Sequence, residues 1–390
     1  MNREEVLNEI LSLKENNICC ELTTGYGKTR IAIELLKKRN CKQILIVIPR
    51  LVLIQNWKVE LKKWNFPLSE SRVIFTTYVS LYKHAGKYDA VVYDEAHHLT
   101  ERCFEAIEDI ESDNNILLSA TIPRDKKYSI SYNFPNTYFY KVSLKEAIDN
   151  EVLPDPKVYL IPLELDKKIH KYNYVANPKG IKQVTCNYEN RWNYIKDKRN
   201  KVTVFCTEWQ YIHELSTKIE YYKRTFMTSR NERIKSKWLK LAGDRLKILS
   251  NLKTDFVSDI LKKLKNERTI TFCNSIEQTE VLGKYNINSK NKESANNLDM
   301  FNKGEIKHIT CVNMLNEGIN LSDCKVGIFA VLNSSEIMIK QKNGRLLRHP
   351  EPVIIIPYYI NTREQELVEK MLEDYNPELV TTTDINNIKL

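Results

Sequence analysis

Short apolar runs alternate with stretches of helical spacing along most of the chain. Runs at 18–22, 43–49, 72–75, 90–93 and 115–119 are apolar and largely β-branched, which predicts buried strands. Between them, 28–39, 51–64 and 101–109 carry apolar residues at helical spacing. Strand alternating with helix implies a parallel sheet covered on both faces. The pattern changes at 142–153, where 143–148 predicts a short helix and Pro154 and Pro156 mark a break. A strand at 157–163 precedes a basic, aromatic stretch of helical character. Alternation then resumes, with strands expected at 269–273, 308–312, 326–331 and 353–356. The chain therefore reads as two similar α/β halves with a basic insertion near the start of the second. Residues 1–150 form the first lobe on this reading, and 151–365 the second, with the insertion at about 167–245. A C-terminal helix and tail occupy 366–390, and the polar residues 381–390 are expected to fray.

A length of 390 residues fits two or three domains, and 42% apolar residues suffice for ordinary cores. No stretch nears the roughly 18 consecutive apolar residues that span a bilayer, so no membrane partner is expected. The charged first residues carry no apolar core behind them, which argues against a secretory signal. Nine cysteines, an odd number with no Cys-x-x-Cys pair, read as reduced thiols in a cytoplasmic protein, and Cys19 and Cys20 as core. The net charge of +10 is unevenly placed. Residues 167–240 hold 18 Lys and Arg against 6 Asp and Glu, leaving the rest of the chain at −2. That segment also carries 12 of the 37 aromatics, among them Trp192, Trp209 and Trp238. Basic and aromatic side chains together suit a nucleic-acid backbone and exposed bases. A helical subdomain whose aromatics are core and whose lysines are solvated accounts for the same residues; both can hold at once, with aromatics inside and basics outside, and that mixture is expected.

Two motifs carry chemistry. The first strand runs into Thr23-Thr24-Gly25-Tyr26-Gly27-Lys28-Thr29 and then a helix. Backbone N–H groups of such a loop and the helix N-terminus form a concave anion site. Thr24, Gly25, Tyr26 and Gly27 would line it, Lys28 would reach the β- and γ-phosphates of ATP, and Thr29 would ligate Mg²⁺. Leu22 stands where the general pattern has its first glycine. The second motif, Asp94-Glu95-Ala96-His97, puts two carboxylates at the end of a buried strand, where open α/β sheets bind ligands. Asp94 would hold the magnesium through water, and Glu95 would polarise the attacking water. A solvated strand end is the plainer reading of two acids alone; a phosphate loop about 65 residues upstream makes it weaker.

These residues resemble motifs I and II, the latter of DEAH type, of the superfamily 2 DNA helicases and translocases. Other motifs follow in family order. Ile48-Pro49-Arg50 with Gln55-Asn56-Trp57 resembles motif Ia, and Thr76-Thr77-Tyr78-Val79-Ser80-Leu81 resembles Ib. Ser119-Ala120-Thr121 resembles III, and Thr271-Phe272-Cys273-Asn274-Ser275 resembles IV. Asn313-Met314-Leu315-Asn316-Glu317-Gly318-Ile319-Asn320-Leu321 resembles V, and Gln341-Lys342-Asn343-Gly344-Arg345-Leu346-Leu347-Arg348 resembles VI. The resemblance implies two RecA-like parallel-sheet lobes that hydrolyse ATP between them, with a basic, mainly helical insertion in the second. Gln341, Arg345 and Arg348 fall on one face of a predicted helix, and the two arginines would act as fingers on the transferring phosphoryl group. Gly318 would lie near the nucleotide. Pro49, Arg50, Thr77, Tyr78, Asn274, Ser275 and Asn313 are implied nucleic-acid contacts. Ser119, Thr121 and His97 would couple the ATP site to lobe closure.

Relatives often read adenine with a glutamine upstream of motif I; here no Gln precedes Gln43, and Arg3 is the candidate to stack on the base. The form of motif Ia resembles DNA translocases, repair and recombination helicases, viral ones included, and restriction-enzyme motor subunits. This implies a monomeric motor on duplex or branched DNA, working beside replication, repair or recombination proteins. An RNA helicase, a duplex motor that displaces proteins without unwinding, and a non-catalytic binding module remain as alternatives.

Overall fold

A computed structural model of the chain describes residues 1–175, 193–196, 201–312, 321, 323–332, 346 and 349–389. In chain order the strands are β1 Asn17–Leu22, β2 Gln43–Ile48, β3 Arg72–Thr77, β4 Gly86–Tyr88, β5 Ala90–Asp94, β6 Ile110–Ser112, β7 Asn115–Ser119, β8 Tyr138–Val142 and β9 Lys157–Leu163. They continue as β10 His170–Val175, β11 Asn193–Lys196, β12 Lys201–Cys206, β13 Thr269–Cys273, β14 Asn286–Ile287, β15 His308–Val312, β16 Val326–Phe329, β17 Val353–Tyr359 and β18 Val380–Thr382.

Two parallel sheets dominate. The first runs β3-β2-β5-β7-β1-β8 and the second β14-β15-β13-β16-β17-β9-β18. Every pairing within them is parallel. Central strands such as β2, β5 and β13 are almost wholly buried, so they are rich in apolar residues. The phosphate-loop strand β1 lies between β7 and β8, and the acidic strand β5 between β2 and β7. Both functional strands thus end on the same rim of one sheet.

Between β9 and β13 the chain leaves the second sheet. Strands β10, β12 and β11 form a small antiparallel sheet, followed by helices Glu208–Ser229 and Glu232–Leu252. Thr207 and Gln210 close a capping box on the first helix, and Arg230, left-handed at φ 52°, ends it. Among the described residues the insertion is helical from Glu208 onward; its antiparallel sheet was not expected.

The C-terminal tail differs from the sequence reading too. Strand β18 pairs with β9, Ile388 is buried, and the Tyr159 hydroxyl donates to the Lys389 carbonyl. These contacts tie down a segment whose polarity suggested fraying. Among the described residues, eight cysteines are buried, Cys19 and Cys20 among them. No described helix is long and apolar enough to cross a membrane.

Candidate nucleotide site

Strand β1 ends at Leu22, and the loop after it turns through Gly25 at φ 91° and Gly27 at φ 100°. Only glycine adopts such angles without strain, and a Cβ on Gly27 would meet nothing within 4 Å, so the loop surface is open there. Helix Lys28–Lys38 begins directly after it with no side-chain cap, which leaves its first N–H groups for a ligand. Lys28 Nζ donates to the Leu22 carbonyl at 3.1 Å. The hydroxyls of Thr23, Thr24 and Tyr26 are buried without a hydrogen-bond partner. Buried polar groups are rarely left so, and their grouping around one loop fits an anion that completes them.

Asp94 closes β5 on the same rim. Its Oδ2 accepts from Trp57 Nε1 at 2.8 Å, and its carbonyl accepts from the Tyr78 hydroxyl at 2.7 Å. Burial first, and then the Glu95 carboxylate, push Asp94 up to about 6, against the opposing effects of the Trp57 hydrogen bond and the Lys28 charge. Glu95 sits in the left-handed region at φ 53°, a costly conformation for its size. Its Oε2 is buried without a hydrogen bond, 3.4 Å from His97 Nδ1. Two crowded carboxylates, one orphaned oxygen and the half-buried Thr29 nearby make a donor set of hard oxygens that suits Mg²⁺.

His97 Nδ1 also lies 3.0 Å from Ser119 Oγ at the end of β7. Ser119 Oγ in turn donates to the Thr121 carbonyl at 2.9 Å, and both residues are buried. His97, from the acidic motif, and Ser119 and Thr121, at the end of β7, thus form one connected group.

The phosphate loop and the acid pair open on a cleft of about 1140 Å³ lined by Arg3, the 24–31 loop and helix start, Trp57, Glu60, Trp64, Asp94 and Glu95. Arg3 donates from Nη2 to the carbonyls of Gly25 at 3.3 Å and Val152 at 3.1 Å. Across the cleft stand His349 and Pro350, from the half of the chain that carries the second sheet. Leu346, three residues earlier, is fully buried against Gly327 of β16, where an added Cβ would come within 2.2 Å of its Cδ1.

Two family models match the chain in the order of its two sheets. Residues 2–124 match the res subunit of type III restriction enzymes, and residues 252–350 match the helicase conserved C-terminal domain. The chain belongs to the superfamily 2 helicases and translocases. One curated relative is the DNA 3'-5' translocase XPB2 of Sulfurisphaera tokodaii, 22% identical over 384 residues, covering 93% of this chain and 80% of the relative. Among solved structures, S. cerevisiae Dbp5 bound to RNA and ADP BeF3 superposes with a TM-score of 0.61 at 13% identity, covering 99% of this chain and 90% of that one. The Pyrococcus furiosus Hef helicase domain gives 0.52 at 14% identity, covering 94% and 97%. A fragment of a putative type I restriction HsdR subunit from Vibrio vulnificus gives 0.55 at 16% identity, covering 97% and 67%. These structures share the family's two-lobe fold.

The residues expected to touch nucleic acid fare unevenly. Pro49 is half-buried and Arg50 exposed after β2, and Thr77 is half-buried at the end of β3. Tyr78, in contrast, is 8% exposed, with its hydroxyl committed to Asp94 and its ring 5.8 Å from that of His98. It braces the acidic strand from within, whereas Val79 and Tyr82 beside it are exposed. Ser275 is buried, and its hydroxyl accepts from Gln278 N to cap helix Ile276–Leu282. Asn274 before it is half-buried. Asn313, Gly318, Gln341, Arg345, Arg348 and Trp192 lie outside the described residues, as does the predicted helix across motif VI.

Sequence reasoning gave Trp57 no role beyond its motif, yet its indole is a direct partner of Asp94. Its place one turn into helix Leu53–Lys63 was legible; the strand it would face was not. In the insertion, Ile212, Leu215, Ile219 and Leu249 form the buried side of the hairpin, while Trp209 and Tyr221 are exposed. Some aromatics therefore lie outside, contrary to the expected division.

Proposed function

We infer that the chain is an ATP-dependent DNA helicase or translocase in which hydrolysis between two lobes drives movement along duplex or branched DNA. One observation supports this most strongly. The residues immediately after Arg348, His349 and Pro350, line the same cleft as the phosphate loop and the Asp94–Glu95 pair. Arg345 and Arg348 are then the fingers that stabilise charge on the transferring phosphoryl group.

The remaining roles follow from position. Lys28 exchanges its bond to the Leu22 carbonyl for the β- and γ-phosphate oxygens. Asp94, with Thr29, holds the magnesium ion, which when bound screens the charge of the phosphates. Glu95, close to His97 and without a hydrogen bond on Oε2, orients the attacking water and polarises it. His97, Ser119 and Thr121 pass a change at that water to the end of β7. ATP favours the closed arrangement because both lobes contribute to its phosphates, and closure becomes a step when each lobe grips the track in turn.

The basic hairpin supports the choice of a nucleic-acid track. Residues 218–240 hold 8 Lys and Arg against 2 Asp and Glu. Lys235 and Arg230 lie 5.6 and 5.9 Å from the Phe226 ring, and Lys237 lies 5.4 Å from that of Tyr222. DNA rather than RNA is favoured because the curated relative is a DNA translocase and the first family model comes from restriction enzymes.

Hydrolysis of ATP by the full chain, alone and with single-stranded, duplex or forked DNA or with RNA, tests the reading. Stimulation by a DNA form, abolished in Lys28→Ala, is the expected result. Stimulation by RNA only would keep the motor and replace its track. No hydrolysis under any condition would overturn the motor.

A further inference from the structure

The basic hairpin of helices Glu208–Ser229 and Glu232–Leu252 lies between β9 and β13 in the chain. In the motor reading on which this inference rests, DNA held along the hairpin acts on the second lobe only through the hairpin's attachment to the sheet. Part of that attachment is apolar: Ile212 and Leu249 pack with Leu165 and Tyr359 in one buried cluster. Glu208 Oε2 accepts from Asp166 N at 2.8 Å, and the Lys253–Glu364 pair holds the chain just past the hairpin. Lys247 and Glu277 lie 3.9 Å apart and both are exposed, so that pair adds little.

A different link leads to the end of β13. Gln278, on helix Ile276–Leu282, is 3% exposed. Its Oε1 accepts from Ser250 Oγ at 2.8 Å and from Asn274 N at 3.1 Å. Its Nε2 donates to the Ser250 carbonyl at 2.7 Å and to Thr254 Oγ1 at 3.2 Å. Its backbone N donates to Ser275 Oγ at 3.2 Å. A primary amide accepts two hydrogen bonds and donates two, so the whole capacity of this side chain is used. Asn274 N can only donate and the Ser250 carbonyl only accept, which leaves one orientation for the amide. One buried side chain thus joins the last turn of the hairpin, the start of helix Thr254–Lys263 and the loop Asn274–Ser275. Apolar packing alone tolerates sliding, whereas a fully satisfied buried polar network specifies a single arrangement.

We propose that Gln278 is a positioning residue that holds the basic hairpin and the 274–275 loop as one body, so that the second lobe grips DNA with both together.

Fluorescence anisotropy with a fluorescein-labelled DNA duplex measures the grip, and urea unfolding the stability, of Gln278→Met and of Gln278→Met combined with Ser250→Ala. Methionine keeps the length of the side chain and strands the Ser250 hydroxyl; the second change removes that hydroxyl. Both variants are expected to bind the duplex about tenfold more weakly than the unaltered chain, with the Kd for ADP unchanged. The double variant is expected to regain part of the stability that the single variant loses, without regaining the affinity. Recovery of affinity together with stability would mean that Gln278 only supports the fold, and overturns the proposal. If the unaltered chain binds the duplex and Gln278→Met binds it as tightly, the proposal alone fails. If the unaltered chain binds no duplex, the duplex track fails and the proposal with it.

Discussion

Asp94 depends on side chains far from it in sequence. Trp57 donates to its carboxylate, Tyr78 to its carbonyl, and Glu95 crowds it from the next position. The acid pair itself was legible, because two carboxylates ending a buried strand after a phosphate loop admit few readings. The roles of Tyr78 and Ser275 were not legible. Both occupy positions that resemble nucleic-acid contacts, and only the tertiary structure turns one toward Asp94 and the other onto a helix end. Trp57→Phe keeps the ring and removes the donor. It is expected to lower the stimulated ATPase rate by roughly 10- to 100-fold, the usual cost of losing a partner of a metal-holding carboxylate. The Kd for ADP measured without Mg²⁺ should be unchanged; a wild-type rate would show that the Trp57 bond is only packing.

Among the elements, buried parallel strands were easiest to read. Strands β7, β9, β13 and β15 begin and end where expected, since both faces are covered and only the buried threonines Thr271 and Thr310 interrupt their apolar residues. The edge strands β8 and β18 escaped for the opposite reason. Strand β8 is partly exposed and β18 mostly polar, so neither carries an unbroken apolar run. The junction of the long hairpin with the second sheet was equally hidden. Lys253, fully buried, donates from Nζ to Glu364 Oε1 at 2.6 Å and to the Pro357 carbonyl at 3.1 Å, and Glu364 Oε2 accepts from Tyr359 N at 3.0 Å. Burial pushes the Lys253 ammonium down, against the pull of Glu364. Removing one partner of such a pair strands the other charge in a dry site. Lys253→Met is therefore expected to destabilise the second lobe by about 3–5 kcal/mol, and Lys253→Met with Glu364→Gln to recover part of that loss. Urea unfolding followed by far-UV circular dichroism measures both. Equal destabilisation by the single and double variants would mean that the charge pair is not what holds the junction.

For the molecule as a whole, the division into two halves was legible because the alternation of strand and helix stops at Pro154 and Pro156 and restarts after the insertion. The order of the sheets was not, since parallel neighbours in space are distant in sequence. That order brings Lys28 on β1's loop and Asp94 on β5 to one rim, and His349 lines the same cleft. On the two-lobed reading, hydrolysis needs residues of both halves of the chain at once. Arg348→Ala probes this, with DNA-stimulated ATP hydrolysis and ADP affinity measured on the same preparation. Turnover is expected to fall by about 10³-fold or more while ADP affinity stays near that of the unaltered chain. Unaltered turnover in Arg348→Ala would contradict it.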